Sequence, residues 1–251
     1  MMKKWIFILS GLLAIQLILT AAVTLTGEDY EAFQAEEKVL SFDKKEVDGL
    51  RIEDGTDSVS LKKQEGKWLL PESGNFPANQ SSVEQLLGNL AIMKKGWPVA
   101  KTRSALRRFQ VDEEQFERKL VLLSGDEAQA TLYVGTSPGF RKVHIRPANG
   151  DEVYAVMFNT WDAAAKADEW IDKDVLTLDE SDVDRVEMPG VVLHWKDGKP
   201  KVADLGEKEQ TNEKESRSLL RKLAKLRIQS LLGAEANTEY QPDESAFEIK
   251  I

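Results

Sequence analysis

The sequence predicts an α+β protein: an N-terminal transmembrane helix, then a duplicated antiparallel-sheet-plus-helix unit with a central β-meander. Three observations predict it. A charge-free hydrophobic run lies near the N-terminus, short alternating segments are punctuated by glycine turns, and one order of motifs recurs about 133 residues later.

The run extends from Trp5 to Leu25, with Ser10, Gln16, Thr20 and Thr24 as its only polar interruptions. At about 1.5 Å per residue it matches the roughly 30 Å hydrocarbon core of a bilayer. Lys3 and Lys4 precede it, and Glu28, Asp29 and Glu31 follow. That asymmetry keeps the N-terminus cytoplasmic and sends the rest across, to the inner-membrane exterior. A cleaved signal peptide with Thr20–Ala21–Ala22 as its site is the alternative, and it exports the same domain. Residues 1–26 are thus the anchor, and the charge-rich residues 27–46 a spacer or short helix leading into the fold.

Strand signals begin at Val47. Val47, Leu50 and Ile52 are apolar, Asp54–Gly55 turns, Val59 and Leu61 alternate with polar neighbours, and Glu65–Gly66 turns into Trp68–Leu70. A helix follows. Ser81 and Glu84 have capping-box spacing, Val83, Leu86, Leu87, Leu90 and Met93 share one face, and Gly96 is the stop. Leu120–Leu123, Thr131–Val134, Val143–Arg146 and Val153–Val156 then form two hairpins of a meander, completing a first repeat over 47–178.

Residues 179–251 carry a truncated second copy. Val183, Val186 and Met188 repeat the first strand, Leu193 and Asp197–Gly198–Lys199 the second strand and its turn, and Asn212 with Glu215 the helix start. Leu219, Leu220 and Leu223 repeat Leu86, Leu87 and Leu90. Tyr240–Glu248 (YQPDESAFE) echoes Phe109–Glu117 (FQVDEEQFE). A last strand, Phe247–Ile251, is expected to complete a sheet beside its counterpart near Phe116. Pro200 stands where the first copy has Trp68, so the copies share no tryptophan-dependent site.

Composition narrows the function. The chain has 34 basic and 43 acidic residues for a net charge of −9, and both lysines of its first 26 residues precede the hydrophobic run. Such a surface repels nucleic acid. The absence of cysteine excludes disulfides, thiolate ligands, cysteine nucleophiles and a lipidated N-terminal cysteine. Two histidines, His144 and His194, are too few for a histidine-rich zinc site.

The stretch Leu132–Arg146 (LYVGTSPGFRKVHIR), with Val153-Tyr-Ala-Val156, Trp170–Leu176 (WIDKDVL) and Gly66-Lys67-Trp68, resembles the bacterial domain-of-unknown-function 4340 family over most of residues 45–251. The resemblance implies a membrane-anchored, extracytoplasmic protein, similar to accessory components of ABC-type transport systems of the gliding-motility kind. It carries over no catalytic residues.

Gly135-Thr-Ser-Pro-Gly139 has the spacing of a hydrolase nucleophile elbow. That elbow joins a strand to a helix and uses the amide after the serine, and Pro138 has none. Phe140, Arg141, Lys142, His144 and Arg146 form one basic patch in an acidic domain, the best candidate for binding an anion or an acidic partner. Alternation puts His144 with Lys142 and Arg146 on a face that reads as solvated. Trp68, Trp97, Trp161, Trp170 and Trp195 suit a glycan platform but more commonly fill cores, and Trp161 and Trp170 flank an Ala-rich helix over Asp162–Glu169. Asp179, Glu180, Asp182 and Asp184 lack the spacing of a calcium loop. The functional expectation is therefore a membrane-tethered interaction module without cofactor, metal or catalytic residues, an accessory subunit of an ABC-type transport or envelope assembly. Its rivals are a glycan or envelope-ligand binding protein and an envelope hydrolase.

Overall fold

Alternating apolar positions become strands wherever glycines let the chain reverse. The turns after β1 (Gly49–Glu53), β2 (Ser58–Gln64) and β5 (Arg118–Ser124) hold Gly55, Gly66 and Gly125 at φ of 84°, 82° and 61°. That left-handed region costs glycine little and other residues more. A computed structural model of the chain describes residues 9, 11–18, 37–196, 198–232 and 249–251. Of the expected span, residues 9 and 11–18 are helical and exposed, and the remainder lies outside the described residues. No helix among the described residues is long and apolar enough to cross a membrane.

The protein is α+β with one large antiparallel sheet. β3 (Lys67–Leu70), β4 (Phe76–Pro77), β6 (Glu127–Val134), β7 (Lys142–Pro147) and β8 (Tyr154–Met157) join the strands above in the order β4-β3-β2-β1-β5-β6-β7-β8. Two meanders thus meet at β1, which pairs with β2 on one side and β5 on the other, Ile52 facing both Val59 and Leu120. Against one face lies α1 (Gln80–Ile92), burying Val83, Leu86, Leu87 and Leu90, with Met93 behind them. The 3.6-residue periodicity located that face correctly, but the cap is Asn79, whose side chain accepts from the Ser82 amide at 3.0 Å. Glu84 is not a capping residue. It receives Lys44 at 2.9 Å and the Trp68 indole N–H at 3.2 Å. The helix ends at Ile92, before Gly96.

Residues 37–46, the described part of the spacer expected over 27–46, pack into the fold. Val39 and Leu40 are buried in the main core, and the Val39 amide donates to Met93 O at 2.9 Å. The Ala-rich helix expected over 162–169 is instead two 3-10 turns, Thr160–Ala163 and Ala167–Glu169. Trp68 and Trp170 are core residues, whereas Trp97 and Trp161 stand exposed. A short helix that the alternation did not reveal, α2 (Arg103–Arg108), crosses the opposite face of the sheet with only Ala105 and Leu106 buried.

A second, three-stranded sheet is β9 (Arg185–Met188), β10 (Val191–Lys196) and β11 (Lys199–Val202), in the order β11-β10-β9, with α3 (Glu213–Ala224) packed on β11. Asn212 caps α3 by accepting from the Glu215 amide, the same three-residue reach that Asn79 makes to Ser82. Trp195 lies opposite Pro200, so an aromatic ring occupies β10 where the first unit has Lys63 facing Trp68. The described end of the chain, residues 249–251, does not pair near Phe116. Lys250 bridges Glu187 of β9 through two backbone hydrogen bonds, on the side of β9 left free by β10, and Ile249 packs on the second core. Phe247 and Glu248 lie outside the described residues. After α3 the chain returns to the main core through Ile228 and Leu231.

Candidate functional site

β7 carries Lys142, His144 and Arg146 of the basic patch, Phe140 and Arg141 lie in the turn before it, and the structure separates the five into two environments. Val143 and Ile145 face the main core, as alternation requires. His144 and Arg146 point the other way, yet that face is not solvated. α2 and the loop through Phe109 and Val111 cover it, making a small core of Leu106, Val111, Tyr133 and Val153 flanked by Phe109 and Phe116. His144 and Arg146 are therefore buried, a correction to the open face inferred from alternation. Period two assigns a side chain to a face; it does not say what covers that face.

Inside this small core Arg146 has no carboxylate partner among the described residues. Its Nε donates to Val111 O at 2.7 Å, an Nη donates to Gly150 O at 3.1 Å, and the guanidinium sits 4.5 Å from the centre of the Tyr133 ring. Two carbonyl dipoles and an aromatic face substitute for water around the guanidinium. Arg146 is thus a structural clamp on the 109–111 loop, and its donors do not reach an anion in solvent.

His144 is held similarly. Its Nδ1 lies 2.9 Å from Thr136 Oγ1, and its ring is 4.2 Å, centre to centre, from Phe109. Burial holds its pKa below the usual imidazole value, the nearby Arg108 charge acts in the same direction, and a hydrogen bond with the Thr136 backbone opposes them. The unfolded chain accepts a proton near pH 6.5, while the folded site resists it until lower pH. Stability from this site is therefore complete above that range and is lost as pH falls through it. Between pH 7 and pH 5 the melting temperature of the parent is expected to fall further than that of His144→Asn. Equal falls in a calorimetric titration would remove His144 as the source.

The motif Gly135–Gly139 forms the β6–β7 turn, with no helix after it. A Cβ on Gly135 would lie 2.0 Å from Phe109 O, so only glycine allows this close approach. The Gly135 amide donates to His144 O and the Thr136 amide to Phe109 O, both at 2.9 Å, which leaves neither to hold an anion. Ser137 Oγ lies 2.8 Å from Gly139 O and 2.7 Å from Lys142 O, tying the turn. The histidine meets Thr136 instead of this serine.

Phe140, Arg141 and Lys142 remain outside. Phe140 is 86% exposed, with the Arg141 guanidinium 4.9 Å from its ring centre. Neither Arg141 nor Lys142 forms an ion pair among the described residues. They border an open groove of about 960 Å³ between the C-terminal end of α1, the start of β7, β8 and the turn at Thr160–Ala163. Its apolar lining includes Ile92, Met157 and Trp161, which are 70%, 61% and 84% exposed. Lys94, Arg141 and Lys142 oppose Glu117 and Asp162, so the groove is locally positive in an acidic chain. Asp162 is also engaged by Asn159 Nδ2 at 2.8 Å. Sequence reasoning found Arg141 and Lys142 because they are adjacent. It missed Ile92 and Met157, and weighed Trp161 as part of a glycan platform but favoured the core for it; the three come from separate elements.

Among the described residues, no group of three or more His, Asp or Glu side chains is placed to hold a metal ion. No curated protein and no solved structure matches the chain. The model of a family described as a domain of unknown function, DUF4340, matches residues 68–245, so that this groove, the small core beneath the β6–β7 turn and α3 all lie within the match, and the chain belongs to that family.

Proposed function

We propose that this protein is a membrane-tethered, extracytoplasmic interaction module, an accessory subunit of an ABC-type transport or envelope assembly. The observation that carries the reading is the groove beside β8, where Ile92, Met157 and Trp161 are exposed together next to Arg141 and Lys142. Exposed large apolar side chains gathered at one place, rimmed by charge, are the usual surface signature of a binding site. The tether rests on the Trp5–Leu25 run and on the resemblance to membrane-anchored relatives. We read the two β-β-β-α units, with their Asn79 and Asn212 caps, as copies of one ancestral unit. The second copy then serves as a spacer and brace, since Ile228 and Leu231 carry it back onto the main core.

Chemical crosslinking of the full chain in its native membranes, followed by mass spectrometry, tests the reading. Transporter or envelope-machinery subunits are expected with the parent and lost with Trp161→Ala. That exposed substitution is expected to change stability by no more than about 0.5 kcal/mol. Equal recovery from both proteins would place the partner elsewhere, and recovery of nothing from folded, membrane-bound parent would end the assembly reading. The exposed Trp161 ring also favours a second reading, stacking of an envelope glycan in the groove. Saturation-transfer NMR with envelope oligosaccharides, showing contacts that Trp161→Ala abolishes, would select it.

A further inference from the structure

β8 is an edge strand, and an edge presents a row of backbone donors and acceptors. Which residues present them follows from the register. Val143 faces Val156 and Ile145 faces Tyr154, while the His144 amide and carbonyl turn away from β8 to bond Thr136 and Gly135. Tyr154 and Val156 therefore direct their N–H and C=O groups inward to β7, and Val153, Ala155 and Met157 direct theirs outward. Val153 is already served. It accepts from the Val99 amide at 2.7 Å and donates to Ala100 O at 2.9 Å. The chain's own segment does not continue that pairing: residues 96–98 make no backbone hydrogen bond to Ala155. Ala155 and Met157 take no outward partner among the described residues.

Two features at the end of this open edge specify what fits there. The apolar side chains of Ile92, Met157 and Trp161 line the groove that the edge borders, and Arg141 and Lys142 stand beside them without an ion pair among the described residues. A second copy of the chain joined edge to edge about a two-fold axis would bring Arg141 and Lys142 of each copy toward those of the other, which like-charge repulsion opposes. A lipid surface would bury the Ala155 and Met157 backbone groups without partners, a cost that a polypeptide backbone avoids.

We propose that the free edge of β8 receives an extended segment of a partner protein as an added strand, one that hydrogen-bonds Ala155 and Met157, sets an apolar side chain against Ile92, Met157 and Trp161, and brings a carboxylate to Arg141 and Lys142. This rests on the interaction-module reading and states its mode: main-chain bonds supply affinity, and the alternate side chains supply selectivity.

The probe is a displayed library of random heptapeptides, selected against the full chain in lipid nanodiscs. Enriched peptides are expected to alternate apolar residues with Asp or Glu. Fluorescence anisotropy with synthetic versions then reads the mode. N-methylation of the edge-facing amides is expected to weaken binding by about tenfold or more, and N-methylation of the intervening amides to leave it nearly unchanged. Ala155→Pro removes an outward N–H without touching the β7 ladder and is expected to give a similar loss. The methylated peptides keep the test sound if that variant fails to fold. Peptides that need Trp161 yet tolerate methylation everywhere would overturn strand addition and leave the interaction module standing. Enrichment of basic peptides, or of none, would overturn the proposal. So would quenching of tryptophan fluorescence by brominated acyl chains that falls on Trp161→Phe, since that outcome places a lipid surface at the groove.

Discussion

Trp68→Ala is expected to lower the unfolding free energy by about 3–5 kcal/mol, a large share of what a domain of this size has to lose. Trp68 is fully buried in β3. Its ring packs beneath α1 and its indole N–H donates to Glu84, which also receives Lys44 at 2.9 Å and Lys63 at 3.6 Å. Its backbone is equally committed. The Trp68 amide donates to Gln80 Oε1 at 2.8 Å, and Gln80 Nε2 and the Ala78 amide both donate to Trp68 O, which sets where α1 begins. Alanine keeps those backbone bonds and removes the ring, so the loss measures the cavity plus one orphaned contact to Glu84. That carboxyl stays charged, because Lys44 is the main cause of its lowered pKa. Trp68→Phe restores most of the volume without the donor and is expected to recover more than half of the loss. Urea denaturation of the three proteins checks both statements. A loss under about 1 kcal/mol for alanine would mean that the site collapses around the missing ring.

Gly135→Ala is the second large effect, about 3 kcal/mol, and its location distinguishes it from the first. The added methyl meets Phe109 O at 2.0 Å and Gln110 O at 2.4 Å, both rigid backbone atoms, so the loop must retreat from the sheet. Retreat breaks the Thr136 bond to Phe109 O, lifts Phe109 from His144 and withdraws Val111 O from Arg146. Hydrogen exchange is expected to accelerate at the Thr136 and Val111 amides while the amides of β1 and β2 in the main core keep their protection. Uniform acceleration across both cores would show that the small core is not a separate unit, and unchanged exchange would show that the loop accommodates a methyl.

The sequence made the strands legible because each short apolar alternation ended at a residue suited to a turn. Gly55, Gly66 and Gly125 mark the reversals, and β5 to β8 fall where Leu120–Leu123, Thr131–Val134, Val143–Arg146 and Val153–Val156 were expected. Helix α1 was legible from its leucines, although its cap was not: Ser81 falls inside the first turn, and Asn79, just before the helix, supplies the cap. α2 was not legible, since a six-residue helix with two apolar side chains has no period to detect. Nor were the tertiary roles of β7. Lys142, His144 and Arg146 alternate alike, but α2 and Phe109 shelter only the latter two. The groove was invisible for a related reason. Ile92 ends a helix, Met157 ends a strand and Trp161 sits in a 3-10 turn, so nothing local in the chain unites them.

The central place of β1 has a consequence for anyone dividing the molecule. The family match begins at residue 68, inside β3, and omits the strand on which both meanders close. A fragment cut to those limits would lose Leu50 and Ile52 from the middle of the core and expose the β5 edge, with Leu120 and Leu122 stripped of their neighbours. Such an edge, long and apolar, recruits other chains as readily as it once recruited β1. The boundary of the recognisable family and the boundary of the foldable body are different, and a recombinant domain has to begin upstream of Val39 to be the second of these.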